Sequence, residues 1–158
     1  MNCIFNSWIY FVANDNQAIQ YPVHISVIGS KQSFILKSIL ILDDNIDVLE
    51  SLEALLSGSG YQVFINHTVS GMLATLGSIT PDLFLLDVVV GNDNGSSVCA
   101  YLKSVPHYQH IPVLLMSGIV NFHIKSASEP VFADDYIDKP YSNELVLEKV
   151  AELLRLEE

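Results

Sequence analysis

The sequence predicts an α/β domain whose parallel sheet is covered by helices on both faces. Three observations carry that prediction. From Lys37 onward, short apolar runs of strand length alternate with stretches whose apolar residues recur at helical spacing. Several of those runs are apolar throughout rather than at every second residue, which is how strands read when both of their faces are buried. Four of the five runs are followed by a polar residue that a core would not tolerate, and in a parallel sheet all such residues line one edge.

The elements follow in order. A first strand is expected at Ile39–Leu42, then a helix with Leu49, Leu52 and Leu56 on its apolar stripe. A second strand, Val63–Ile65, leads to a helix carrying Met72, Leu73, Leu76 and Ile79. Leu83–Leu86 is the third strand, and Val98, Leu102 and Val105 mark the third helix. Val113–Met116 is the fourth strand. Val120–Ser128 has room for two helical turns, and Pro130 biases Glu129 away from helical dihedrals and so ends them. A weaker fifth strand lies around Asp135–Asp138, and Leu147, Val150, Ala151 and Leu154 define the last helix.

Residues 1–36 read differently. They contain two charged side chains, Asp15 and Lys31, so the excess negative charge of the chain, 17 acids against 6 bases, lies from Lys37 onward. The division expected is therefore an N-terminal extension of unknown role, 1–36, and one domain, 37–158. The extension has β-prone pieces, WIYFV and VHISVI, and no helical repeat. Three readings of it stand open: an added hairpin, a disordered lead, and upstream sequence attached by a misassigned start, the last because no methionine falls between Met1 and Met72.

Composition narrows the function. At 158 residues the chain has the size of one domain, typically about 100–200 residues. A formal charge of −11 offers no basic footprint for a phosphate backbone, so direct nucleic-acid binding is not expected. The longest apolar stretch, Trp8 to Ala13, has six residues, against about 20 for a spanning helix, so no membrane span is expected. Cys3 and Cys99 belong to no Cys-x-x-Cys pair, and the start of the chain lacks the basic residue of a signal peptide, so the expected location is the cytoplasm.

The polar residues after the strands carry the chemistry. Asp43 and Asp44 follow the first strand, Asp87 the third, Ser117 the fourth, and Lys139 with Pro140 the fifth. Carboxylates converging on one cleft repel, by about 4 kcal/mol per pair at about 4 Å and an effective dielectric near 20. Oxygen-only ligands without His or Cys suit a hard cation, and few carboxylates with room for water suit Mg²⁺. An aspartate beside that cation can act as a carboxylate nucleophile toward a phosphoryl group, with Lys139 holding the new charge and Ser117 donating to a phosphoryl oxygen.

Taken together, LILDDN, LLDVVVGNDNG, LLMSG and DDYIDKPY, with 30 residues from Asp87 to Ser117 and 22 from Ser117 to Lys139, resemble the response-regulator receiver domain of two-component signalling, over Lys37 to about Leu154. The resemblance implies a flavodoxin-like (βα)5 three-layer sandwich of strand order 2-1-3-4-5. It implies Asp87 as phosphoacceptor, Asp44 as direct Mg²⁺ ligand, Asp43 acting largely through water, and the backbone carbonyl of Val89 completing the protein ligands. Ser117 and Tyr136 match the switch positions that remodel the face of the fourth helix, fifth strand and fifth helix, where a downstream protein target would bind. Lys139–Pro140 matches the family's cis peptide.

Departures from the pattern are Val90 and Gly91 in place of Met-Pro, which suggests a more flexible loop from Gly91 to Gly95, and Phe132 with Pro130, which alter the approach to the fourth helix. The function implied is a single-domain regulator, not an enzyme in its own right. It would take phosphate from a histidine kinase or phosphotransfer protein in a phosphorelay and signal through protein contacts, homodimerisation included.

Plainer readings stand beside these. Asp43, Asp44 and Asn45 precede a helix and suit an N-cap. Ser117-Gly118 suits a turn, and Tyr136 a packed strand aromatic. His107 and His110 fall in the loop PHYQH and read as surface histidines, and Cys99 as a packed helix residue without a basic activator. Two other functions are weighed: a phosphatase of the haloacid-dehalogenase type, which wants an acid two residues beyond its nucleophile where this chain has Val89 or Asn45, and a degenerate receiver, or part of a longer hybrid kinase, that only binds partners.

Overall fold

The computed structural model describes the strand backbones at 7–12, 18–23, 25–28 and 31–34 and, in full, residues 36–119 and 132–155. In the first part, β1 (Ser7–Val12) pairs antiparallel with β2 (Ala18–Val23), and β3 (Ile25–Ile28) with β4 (Lys31–Phe34).

The rest is an alternation of strands and helices. It runs β5 (Ser38–Leu42), α1 (Ile46–Gly58), β6 (Gln62–Asn66), α2 (Val69–Leu76), β7 (Leu83–Asp87), a short hairpin β8 (Val89–Val90) and β9 (Asp93–Asn94), α3 (Gly95–Ser104), β10 (Val113–Ser117), β11 (Asp135–Asp138) and α4 (Asn143–Arg155). Five strands form one parallel sheet in the order β6-β5-β7-β10-β11, which is the order 2-1-3-4-5 expected of the main strands. The helix expected between Val120 and Ser128 lies outside the described residues. The last helix of the sequence reading is therefore α4.

Why the central strands show no polar alternation is visible in the packing. Ile39, Ile41, Leu83, Leu85, Leu114 and Met116 face α1 and α4, where they meet Leu49, Leu52, Leu56, Val146 and Val150. Their neighbours Leu40, Leu42, Phe84, Leu86, Val113 and Leu115 face α2 and α3 and meet Met72, Leu76, Cys99 and Leu102. Both faces are dry, so every position must be apolar. Edge strands β6 and β11 are partly exposed, and β11 is the run that reads as weaker. Each fully buried leucine or isoleucine here contributes roughly 1.5–3 kcal/mol through burial.

Two helical stripes sit differently from the expected ones. In α4 the buried residues are Val146, Val150, Leu153 and Leu154, with Leu147 only at the margin. Val150 and Leu154 belong to both candidate stripes, and the one buried against the sheet starts a residue earlier, at Val146. In α2 Met72 and Leu76 are buried while Leu73 is exposed, since a helix packed on an edge strand needs a narrower stripe.

The four described helices begin at the carboxyl end of the sheet, and their caps are short polar side chains. Asn45 Oδ1 accepts from the N–H groups of Asp47 and Val48, Thr68 from Gly71, Asn94 from Ser96, and Ser142 Oγ from the Leu145 N–H. Of the three candidates before α1, Asn45 is the cap. Asp43 and Asp44 are thereby left for other work.

Candidate functional site

The carboxyl rim collects the residues singled out above. Asp43 and Asp87 end neighbouring central strands, Asp44 follows Asp43, and the three offer carboxylate oxygens lying within 4.8 Å of one another. Asp43 is fully buried and Asp87 nearly so, whereas Asp44 is exposed. Lys139 arrives from the end of β11 and bridges two of them, with Nζ 2.7 Å from Asp43 Oδ2 and 2.9 Å from Asp87 Oδ2. Its backbone N–H donates to the Ser117 carbonyl at 2.7 Å, and the Lys139–Pro140 peptide is cis, as the resemblance implied.

Electrostatics at the rim are unbalanced: three carboxylates face one ammonium. Burial pushes the Asp87 carboxyl above its ordinary range, against the hydrogen bond and charge of Lys139, which pull it down. Burial alone would pull Lys139 down, but its bonds to Asp43 and Asp87 and their charges outweigh this and raise it. Tyr141, half-buried behind the lysine, is raised by burial.

Backbone groups hold the acids in place. The Asn45 N–H donates to Asp43 Oδ1 at 2.9 Å, and the Asp43 N–H to the Asn66 carbonyl at 3.2 Å. Val89 N–H reaches Asp87 Oδ1 at 3.4 Å, and Gly91 N–H donates to Asp44 Oδ2 at 3.0 Å. After Asp87 the chain forms a short hairpin that turns at Gly91 and Asn92. Val89 and Val90 pair with Asn94 and Asp93, and the Gly95 N–H bonds the Val88 carbonyl. Gly95 has no alternative, because a Cβ there would sit 1.9 Å from the Asp87 carbonyl oxygen. The sequence marks Gly95 only as part of a motif and Gly91 only as a departure from Met-Pro, with no partner assigned to either. The signals available were two glycines bracketing Asn92, Asp93 and Asn94 directly after an aspartate.

Ser117 ends β10 beside Asp87 and is buried, but its hydroxyl oxygen is occupied by the Ile119 N–H at 3.0 Å. Tyr136 is half-buried two residues before the end of β11 and packs on the α2/α3 side. Val89 is half exposed beside Asp87. His107 belongs to the opposite end of the molecule, where its Nε2 lies 3.0 Å from Thr80 Oγ1 and its ring meets Tyr108 edge-on. Cys99 is fully buried in α3, and burial pushes its thiol up to about 11.

The donor set fits a hard divalent cation: oxygen atoms alone, two excess negative charges, and one acid left exposed toward water. Among the described residues, no helix is long and apolar enough to cross a membrane.

Comparison with known proteins agrees with this geometry. The model of the response regulator receiver domain matches residues 39–151. Protein RcaC of Microchaete diplosiphon is 35% identical over 102 residues, which is 65% of this chain and 16% of that protein. Response regulator MprA of Mycobacterium avium is 34% identical over 117 residues, covering 74% of this chain and 50% of that one. The chain thus spans half or less of the length of these relatives. Among solved structures, the signal receiver domain of a signal transduction histidine kinase from Syntrophus aciditrophicus superposes with a TM-score of 0.69 at 29% identity, covering 75% of this chain and 90% of that one. A CheY-like receiver domain protein from Methanospirillum hungatei JF-1 gives a TM-score of 0.69 at 28% identity, covering 77% and 95%. The haloacid-dehalogenase reading is set aside on these matches, and the chain belongs to the response regulator receiver domain family.

Proposed function

We propose that Asp87 accepts a phosphoryl group from the phosphohistidine of a histidine kinase or phosphotransfer protein, and that the chain signals by the protein contacts this changes. The observation that supports the reading best is the Lys139 ammonium bridging Asp43 and Asp87 inside an acidic cluster at the ends of parallel strands. Asp87 Oδ1, whose bond from Val89 is long, is the freer oxygen for attack on phosphorus. As the new O–P bond forms, the P–N bond to the donor imidazole breaks and its electron pair stays on the ring nitrogen. Lys139 is already in place to hold the added negative charge.

Asp43, Asp44, Asp87 and the Val89 carbonyl are the groups that would hold Mg²⁺. When bound, the ion neutralises charge on the phosphoryl oxygens and on the acids themselves. Ser117 would give up its bond from Ile119 to donate to a phosphoryl oxygen, and Tyr136 would repack in response, remodelling the face of β11 and α4 for a downstream target. Hydrolysis of the aspartyl phosphate resets the domain, so it is a phosphoacceptor that assists its own chemistry rather than a turnover enzyme. The single-domain, cytoplasmic regulator is the form proposed. The Syntrophus receiver is a domain of a histidine kinase, and a receiver inside a longer kinase is the second form that this reading admits.

Incubation with Mg²⁺ and acetyl phosphate, followed by intact-mass measurement, tests this. One phosphoryl group per chain is expected, absent from Asp87→Asn. Steady release of phosphate without a covalent adduct, or an adduct that survives the substitution, would overturn it.

A further inference from the structure

Internal donors occupy several oxygens of the acidic cluster. Asp43 gives Oδ1 to the Asn45 amide and Oδ2 to Lys139, and Asp87 gives Oδ2 to Lys139. Asp44 is the exposed member, and among the described residues no lysine reaches it. Its Oδ2 is instead taken by the Gly91 amide at the turn of the β8–β9 hairpin. That amide points inward because Gly91 has φ +59°, a conformation that glycine adopts freely, asparagine tolerates and β-branched residues avoid.

We propose that the Gly91 amide is a positioning group that leaves Asp44 one oxygen for a cation, and so tilts the site toward a small divalent ion and away from calcium. The inference rests on the cation reading given under Proposed function. Ca²⁺ takes six to eight oxygens and commonly uses both oxygens of a carboxylate, whereas Mg²⁺ takes single oxygens and keeps several waters. With Oδ2 committed to an N–H, two-oxygen coordination by Asp44 must break that bond, and single-oxygen coordination need not. Asp44 is the one acid of the three that a larger ion has room to recruit in this way.

Gly91 also supplies a clean test, because nothing lies within 4 Å of where its Cβ would stand. A substitution there acts through backbone conformation and not through a clash. Mg²⁺ and Ca²⁺ affinities are measured by isothermal titration on the full chain and on Gly91→Val and Gly91→Asn. Valine, which disfavours the positive φ, is expected to narrow the Mg²⁺-over-Ca²⁺ preference by about threefold to tenfold, the worth of one hydrogen bond. Asparagine, which tolerates it and keeps the N–H, is expected to restore the original preference. Equal weakening for both ions in Gly91→Val, or an unchanged ratio, overturns the proposal.

The unsubstituted chain gives a second readout. The Gly91 amide proton resonance is expected to move upfield on Asp44→Ala in metal-free buffer, and an unmoved resonance overturns the bond itself. Failure of either ion to bind the unsubstituted chain would instead overturn the cation reading, and this inference with it.

Discussion

The two ends of the sheet solve the same problem in opposite ways. At the amino end, each carboxylate that ties strands together has its own lysine. Asp82 accepts from the Ser38 N–H at 2.7 Å and the Ser38 hydroxyl at 2.9 Å, and pairs with Lys37 at 3.0 Å. Asp134 accepts from the Val113 N–H at 2.7 Å and pairs with Lys103 at 2.7 Å. At the carboxyl end, three carboxylates, Asp43, Asp44 and Asp87, stand together, and among the described residues one lysine, Lys139, pairs with two of them, Asp43 and Asp87. Charge is balanced where it only fastens strands, and left in excess where a cation and a phosphoryl group would complete it.

The pKa directions follow the same division. Asp82 is lowered: burial raises it, but the Ser38 and Lys37 bonds together outweigh burial. Asp87 is raised, because burial wins over its single lysine. One acid stabilises the fold by being charged, and the other is charged at the fold's expense.

That contrast can be broken from either side. The largest effect is expected from Asp87→Asn on function, a complete loss of phosphoryl uptake by intact mass with the fold retained by circular dichroism. Next is Gly95→Ala, which drives a methyl group into the Asp87 carbonyl and should cost about 3 kcal/mol in urea unfolding. Asp82→Ala leaves the Ser38 N–H without its partner and should cost about 2 kcal/mol, after allowance for the partial exposure of the pair.

The smallest effect has the opposite sign. In EDTA, Asp87→Asn should slightly stabilise the protein, since it removes a charge that folding disfavours.

The two acids should also differ in pH dependence. Asp82, with a folded pKa below the ordinary 3.8, contributes stability fully present above 3.8 and lost as pH falls through its folded value. The stability gap between the unsubstituted chain and Asp82→Asn should therefore close on acidification. Asp87, with a folded pKa above 3.8, lowers stability as pH rises from 3.8 through its folded value. The advantage of Asp87→Asn should open across that window and vanish below it. Urea titrations of the three proteins at a series of pH values in EDTA measure both gaps.

Much of the carboxyl end was legible in the sequence because each of its residues directly follows an apolar run. Strand ends place side chains at a rim whatever the details of packing, so Asp43, Asp44, Asp87, Ser117 and Lys139 were found from position alone. The amino end was not, since Asp82 and Asp134 act on strands whose partners are 44 and 21 residues away in sequence and look like ordinary loop acids. Gly91 escaped for a related reason: its role depends on one backbone dihedral and a bond to a residue 47 positions earlier. In α4, Val150 and Leu154 fit two apolar stripes one residue out of phase, and only the sheet beneath decides between them.

The central claim is that the uncompensated charge at the carboxyl end is a cation site. Isothermal titration with MgCl₂ tests it most directly, on the unsubstituted chain, Asp44→Asn and Asp82→Asn. One ion per chain is predicted, weakened at least about tenfold by Asp44→Asn, the loss of a charged ligand, and unchanged by Asp82→Asn. Magnesium binding that ignores Asp44, or that falls equally with Asp82, would contradict the account.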